Sequence, residues 1–227
     1  MPFADLAGRV ADVRDRIAAA LARGGHRQSV RIVAVTKTHG VDAVRAAVQA
    51  GIEDVGENRV QEALAKMDES DVPARWHLVG HLQRNKARAL GRFHLFHALD
   101  SARLGDAVHD VGTALDRPVE ALVQVNVAGE TTKGGFSPDE LPAEADRLRA
   151  RGGVRVTGVM TIAPLDADER TLRSVFAGAR KALAVVAAAG HPATELSMGM
   201  SNDYEIAVEE GATCVRLGTV LFGARET

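Results

Sequence analysis

The chain is poor in cysteine, in aromatic residues, in net charge and in long apolar runs. Cys214 is the only cysteine among 227 residues, so no disulfide can form within the chain and a cysteine-rich metal site is excluded. Apolar neighbours around Cys214 point to a buried thiol. Aromatic residues make up 4% of the chain, which leaves little surface for stacking on nucleic-acid bases. Lys plus Arg total 28 and Asp plus Glu total 30, a net charge of -2. That balance gives no bulk attraction to nucleic acid or to an anionic membrane. The longest soft run, residues 182–190, is far too short to span a bilayer. The N-terminal segment carries Asp5 and Asp12 and has no continuous apolar core, unlike a secretory signal. A soluble, cytoplasmic protein is the expectation.

What is present is an alternation. Hydrophobic residues reach 46%, enough for a substantial core in one domain spanning residues 1–227. Phe3, Leu6, Val10, Val13, Ile17 and Leu21 recur at helical spacing, and Gly24 and Gly25 stop that helix. Short apolar runs then alternate with helical patterns. Strands are predicted at 31–37, 52–56, 76–80, 95–100, 119–127, 154–162, 194–198 and 213–218. Helices are predicted near 41–50, 58–69, 83–91, from Ser101 with a buried stripe of Leu104, Val108, Val111 and Leu115, from Ser137, over 167–189 and from Asn202. Ser137, Pro138 and Glu140 form a helix-start signature, and Asn202 with Glu205 a second capping box. Eight apolar strands separated by helices predict a single (β/α)8 barrel of parallel strands, the additional N-terminal helix filling the gap left after the eighth strand. An open doubly wound sheet is the alternative.

In such barrels function gathers at the C-terminal strand ends. Lys37 follows IVAVT directly. A lysine there either snorkels at the rim or faces a polar pocket, where it can lose its proton and condense with a carbonyl. Gly199 and Ser201 precede a helix start, and Gly218 and Thr219 follow the eighth strand. Freed amides and hydroxyls at such turns can cradle a phosphate, or merely make the turns. Arg216, in an apolar strand, needs an acceptor, from a buried ion pair or from a ligand. Asn58 stands in the GEN segment, where it can also cap a helix with Gln61. His77 and His81 are four apart with no evident third ligand, so a zinc site is not expected. A closed ring makes strands one and eight neighbours. A phosphorylated aldehyde could then bridge Lys37 and the two glycine turns.

Seven segments carry a more specific pattern: AVTKT (34–38), GENRVQE (56–62), WHLVGHLQRNK (76–86), NVAGETTKGGF (126–136), GVMTIAP (158–164), LSMGMSNDYEIAVEEGATCVRLGT (196–219) and FGAR (222–225). Together they resemble the pyridoxal phosphate homeostasis protein family, also called the proline synthase co-transcribed family. The resemblance implies a barrel similar to the N-terminal domain of alanine racemase, with pyridoxal 5′-phosphate as cofactor. It implies Lys37 as the Schiff-base lysine, Arg216 facing the pyridine nitrogen, and Ser201, Gly218 and Thr219 on the phosphate with backbone help around Gly199. Asn58 would lie beside the cofactor, and His77 and Met160 in the surrounding wall. It implies a cytosolic monomer that binds and carries the cofactor without established catalysis, making at most transient contact with apoenzymes that depend on it. An amino-acid racemase or a Schiff-base aldolase is the enzymatic alternative, and a regulatory or RNA-binding module a third. Arg59, His81 and Gly134 depart from the family pattern, where an aromatic, a proline and a serine are frequent.

Overall fold

The computed structural model describes residues 3–130 and 133–223. Thr131, Thr132, Ala224 and Arg225, which fall within two of the matched segments, lie outside the described residues. Eight parallel strands close into a barrel in sequence order: β1 (Arg31–Val35), β2 (Asp54–Glu57), β3 (Arg75–Leu78), β4 (Leu95–Leu99), β5 (Val119–Gln124), β6 (Val154–Met160), β7 (Glu195–Ser197) and β8 (Cys214–Leu217). Closure is made by β1 and β8, paired from Arg31 with Cys214 to Ala34 with Leu217. The open-sheet alternative is thereby removed.

The outer layer holds α1 (Leu6–Gly24), α2 (Val41–Gln49), α3 (Val60–Glu69), a 3-10 helix (Arg84–Arg92), α4 (Ala102–Ala114), α5 (Leu141–Arg149), α6 (Glu169–Ala188), α7 (Tyr204–Glu209) and a single turn, α8 (Thr219–Phe222). Among the described residues only that turn follows β8, and α1 packs against α7, α8 and α2. Leu6, Val10, Val13, Ile17 and Ala20 are the buried face of α1, spaced as one stripe of a helix. Among the described residues no helix is long and apolar enough to cross a membrane.

The core has two layers. Ile32, Ala34, Val55 and Leu78 face the helices, whereas Val33, Val35, Val79 and Cys214 form a separate cluster inside the barrel. The period-two alternation of strands produces this division. Cys214 is buried as expected, and burial pushes its thiol pKa up to about 11, so it is an inert packing group.

Several local expectations are corrected. Residues 84–92 are 3-10 rather than α-helical, with Ala87 and Leu90 buried; a spacing of three matches three residues per turn. Leu115 is not part of the α4 stripe. It follows the last turn and is 43% exposed, lying over Gly91. Ser137 and Glu140 exchange the reciprocal bonds of a capping box, but α5 proper begins at Leu141. Asn202 does not cap α7. Asp203 takes the N-cap position, and Glu205 pairs with Arg16 and Arg23 of α1 instead. The α3 N-cap position falls on Arg59, not Asn58.

Candidate functional site

The strand ends form a mouth, and β1 and β8 set its geometry. Because Ala34 pairs with Leu217, Lys37 and the 218–219 turn stand on the same stretch of rim. Val33 and Val35 face inward, and half-buried Lys37 lies in the turn that follows the end of β1.

The backbone beside Lys37 is strained and held from behind. Thr38 takes φ +69°, a left-handed conformation that is costly for a β-branched residue. Its N–H donates to Glu62 Oε1 at 2.7 Å. On the other side, Lys66 Nζ donates to the Thr36 carbonyl at 2.8 Å, to Glu57 Oε1 at 2.6 Å and to Glu62 Oε1 at 2.9 Å. Thr36 Oγ1 donates to Glu57 Oε1 at 2.5 Å. Thr36, Glu57 and Lys66 are all buried. Burial raises the Glu57 carboxyl above the usual carboxylate range despite its bonds from Lys66 and Thr36. Both residues flanking Lys37 are thus anchored to one charge cluster. None of its members was singled out from the sequence. The signal was there: Glu57 and Glu62 within GENRVQE, and Lys66 four residues after Glu62 on α3.

The adjoining part of the rim, after β7 and β8, is a pair of turns. Gly199 takes φ +92°, and a Cβ there would stand 2.6 Å from Ala207 Cβ. Only glycine allows this turn and the close seat of α7 together. Ser201 Oγ accepts from Val220 N–H at 3.2 Å, and Arg216 N–H donates to the Gly199 carbonyl at 3.0 Å. These bonds stitch the 199–201 turn to β8 and to the start of α8. Gly218 is the α8 N-cap residue, and a Cβ on it would meet only Val35 at 3.4 Å or more. Thr219 is exposed and Ser201 half-buried. Gly199, Ser201, Gly218 and Thr219 therefore come together as expected.

Arg216 lies one layer below, fully buried. It donates to Ser197 Oγ at 2.6 Å and to the Thr161 carbonyl at 2.9 Å. Burial lowers its pKa, but a guanidinium remains charged. Among the described residues no carboxylate pairs with it. Met160 is buried on the same inner face, in register with Ser197. Asn58 is half-buried at the end of β2. Gly80 packs so closely that a Cβ would stand 2.3 Å from the Asn58 carbonyl oxygen.

His77 is buried on β3. Its Nε2 meets Asp54 Oδ1 at 2.8 Å and its Nδ1 meets His97 Nε2 at 2.9 Å, so neither nitrogen is left for a ligand. His81 is elsewhere, on the rim, with Nδ1 at 2.7 Å from Asp100 Oδ2. Among the described residues no group of three candidate ligands for a metal exists. His81 and Gly134 converge on one carboxylate, since a Cβ at Gly134 would stand 2.9 Å from Asp100 Oδ2. Arg59 is exposed at the start of α3; burial would raise the Glu62 carboxyl, but bonds from Lys66 and Thr38, with a smaller contribution from the Arg59 charge, hold it low. Asn126 anchors its own loop, donating to the Glu130 carbonyl at 2.8 Å.

The buried histidines make stability sensitive to acid. Burial lowers the pKa of His77 and His97. For groups depressed in the fold, stability is whole above the unfolded pKa and is lost as pH falls. Each costs about 1.4 kcal/mol per pH unit below about pH 6.5. Burial would raise the Asp54 carboxyl, but bonds from His77 and Arg75 outweigh it and hold it well below the usual range; its contribution is lost in the same direction at lower pH. Glu57 and Asp203, both raised by burial, oppose them. Urea unfolding is therefore expected to show a lower midpoint at pH 5 than at pH 7. An unchanged or higher midpoint would mean that the rings are charged in the fold.

The barrel and its mouth define a class before any particular family. Residues 11–226 match the family model described as alanine racemase, N-terminal domain. An alanine racemase from Corynebacterium glutamicum shares the fold, with a TM-score of 0.72 at 16% identity over 94% of this chain and 62% of that one. Much nearer is the pyridoxal phosphate homeostasis protein of Pseudomonas aeruginosa, 39% identical over 97% of this chain and 96% of that protein. PipY of Synechococcus elongatus PCC7942, solved with PLP bound, is 38% identical with a TM-score of 0.85, covering 96% of this chain and all of that one. The chain belongs to the pyridoxal phosphate homeostasis protein family.

Proposed function

We propose that this chain is a pyridoxal 5′-phosphate-binding protein of cofactor homeostasis, with one site at the barrel mouth. The single observation that carries this reading is the β1–β8 closure, which sets Lys37 beside the 218–219 turn with charged Arg216 beneath. The residues fit the group. The space at Gly218 and the stitched 199–201 turn suit a phosphate. Arg216 is a buried cation with no paired carboxylate among the described residues, which suits the unprotonated nitrogen of a pyridine ring. PipY, 38% identical, has been solved with PLP bound, which supports the same occupant here.

Pyridoxal phosphate, when bound, supplies an aldehyde that condenses with a primary amine and a ring that withdraws electrons. In this chain Lys37 provides the amine. Ser201, Gly218, Thr219 and the backbone near Gly199 hold the phosphate, and Asn58 and Met160 border the ring. Arg216 opposes protonation of the ring nitrogen by like-charge repulsion, which weakens electron withdrawal. The geometry therefore favours holding and supplying the cofactor over turnover. The protein works as a single-domain cytoplasmic monomer that meets cofactor-dependent apoenzymes transiently.

Borohydride reduction followed by peptide mass spectrometry tests this. A phosphopyridoxyl group on Lys37 is expected. An unmodified Lys37 at saturating cofactor refutes the reading. Steady amino-acid turnover, lost in Lys37→Ala, would favour the racemase or aldolase instead.

A further inference from the structure

A hydrogen-bonded chain crosses the interior of the barrel and ends on Arg216. Arg75 Nε and Nη2 donate to Asp54 Oδ1 and Oδ2 at 3.0 and 2.6 Å. Asp54 meets His77 at 2.8 Å, His77 meets His97 at 2.9 Å, and His97 Nδ1 meets Ser197 Oγ at 2.9 Å. Ser197 Oγ accepts from Arg216 at 2.6 Å. Asp54, His77, His97, Ser197 and Arg216 come from β2, β3, β4, β7 and β8, and all five are buried.

Chemistry gives the chain a direction. An ionised carboxylate only accepts and a guanidinium only donates. With both imidazoles neutral, Arg216 donates to Ser197, Ser197 to His97 Nδ1, His97 Nε2–H to His77 Nδ1, and His77 Nε2–H to Asp54. Each of the three middle groups gives one proton and receives one. A charged His77 would reverse the middle of the chain, leaving Ser197 between two donors with its own proton unplaced. Burial of both rings opposes that charge, as does the nearby guanidinium.

We infer that Ser197, His97 and His77 are positioning residues that fix the plane of Arg216, and through it the electronic state of the pyridine ring bound above. The inference rests on the proposed binding of pyridoxal phosphate. Ser197 accepts from Arg216 and gives its own proton to His97, so its hydroxyl is fixed from both sides. The Thr161 carbonyl is the other fixed acceptor. Neither acceptor is ionised, so the guanidinium is oriented without being neutralised at contact. The carboxylate of the relay, Asp54, stands at its far end and is paired there with Arg75, while Asp203 acts on Arg216 only through its charge, without a bond. In a dry interior such a network holds its geometry only while every member is satisfied.

Two measurements test this. The first is nitrogen-15 NMR of histidine-labelled full-length protein without cofactor. His77 and His97 are both expected as neutral rings protonated on Nε2. His97 protonated on Nδ1, or either ring charged at pH 7, overturns the assignment. The second is absorbance titration with pyridoxal phosphate of wild type, Ser197→Ala, His97→Leu and His97→Gln. Ser197→Ala and His97→Leu are expected to displace the visible band and weaken binding about tenfold, the scale of one bond to a charged group. His97→Gln, which keeps a donor and an acceptor, is expected nearer the wild type. A wild-type Lys37 adduct with an unmoved band and equal affinity in Ser197→Ala and His97→Leu refutes the positioning role alone. A wild type that takes up no cofactor refutes the binding reading as well.

Discussion

Replacing Lys37 with alanine is expected to abolish the reducible adduct and to weaken cofactor binding about 100- to 10,000-fold, the usual gain from a second attachment on one rigid ligand. In the proposed site the cofactor is gripped twice: by a covalent bond at the end of β1 and by phosphate contacts at the 199–201 and 218–219 turns. Once either grip is made, the other becomes intramolecular. Removing the amine leaves the phosphate contacts, stitched by Ser201 and Val220 and by Arg216 and Gly199, in place. Residual binding by Lys37→Ala should therefore be competed by inorganic phosphate and should lack the wild-type visible band. Equilibrium dialysis with and without phosphate separates the two contributions. Unchanged affinity would place the covalent link elsewhere. Complete loss of competition by phosphate would remove the turns from the site.

The closed barrel was legible because eight apolar runs recur with helices between them, and the N-terminal helix was legible from its own apolar stripe. Element ends were less so. The fifth strand reads to residue 127, but β5 stops at Gln124. Beyond it the loop turns back, Val125 bridging Phe136, and the apolar letters do not show that turn. Lys37, Gly199, Ser201, Arg216, Gly218 and Thr219 were legible as rim or near-rim residues, since the strand-end rule needs only strand limits. His97 was not. Within LFHAL it reads as one more core position, and only the barrel register brings it between His77, 20 residues away, and Ser197, 100 residues away. Register between distant strands is set by tertiary packing and leaves little local trace. The partners of His77 were hidden for the same reason: Asp54 and His97 lie on other strands, which a linear reading does not connect.

Lys66→Met is expected to destabilise the fold by about 3–5 kcal/mol, the cost of leaving one partner of a buried ion pair alone. Lys66 uses all three of its protons, on the Thr36 carbonyl, Glu57 and Glu62, and Glu57 has almost no access to water. Without the ammonium, Glu57 keeps only the Thr36 hydroxyl, and its Oε2 is without a partner even in the native cluster. The carboxyl, already raised by burial, then rises further. A raised group contributes stability that is whole below its unfolded pKa, about 4.3, and is lost as pH rises through the folded value. The deficit of Lys66→Met relative to wild type should therefore be small near pH 4 and grow towards pH 7. Lys66→Met with Glu57→Gln should recover much of the loss, because no buried charge then remains. Urea unfolding of the four members of this cycle gives the coupling directly. Additive losses at pH 7 would mean that the pair is not coupled, and that the strained Thr38 backbone beside Lys37 is held by packing instead of by charge.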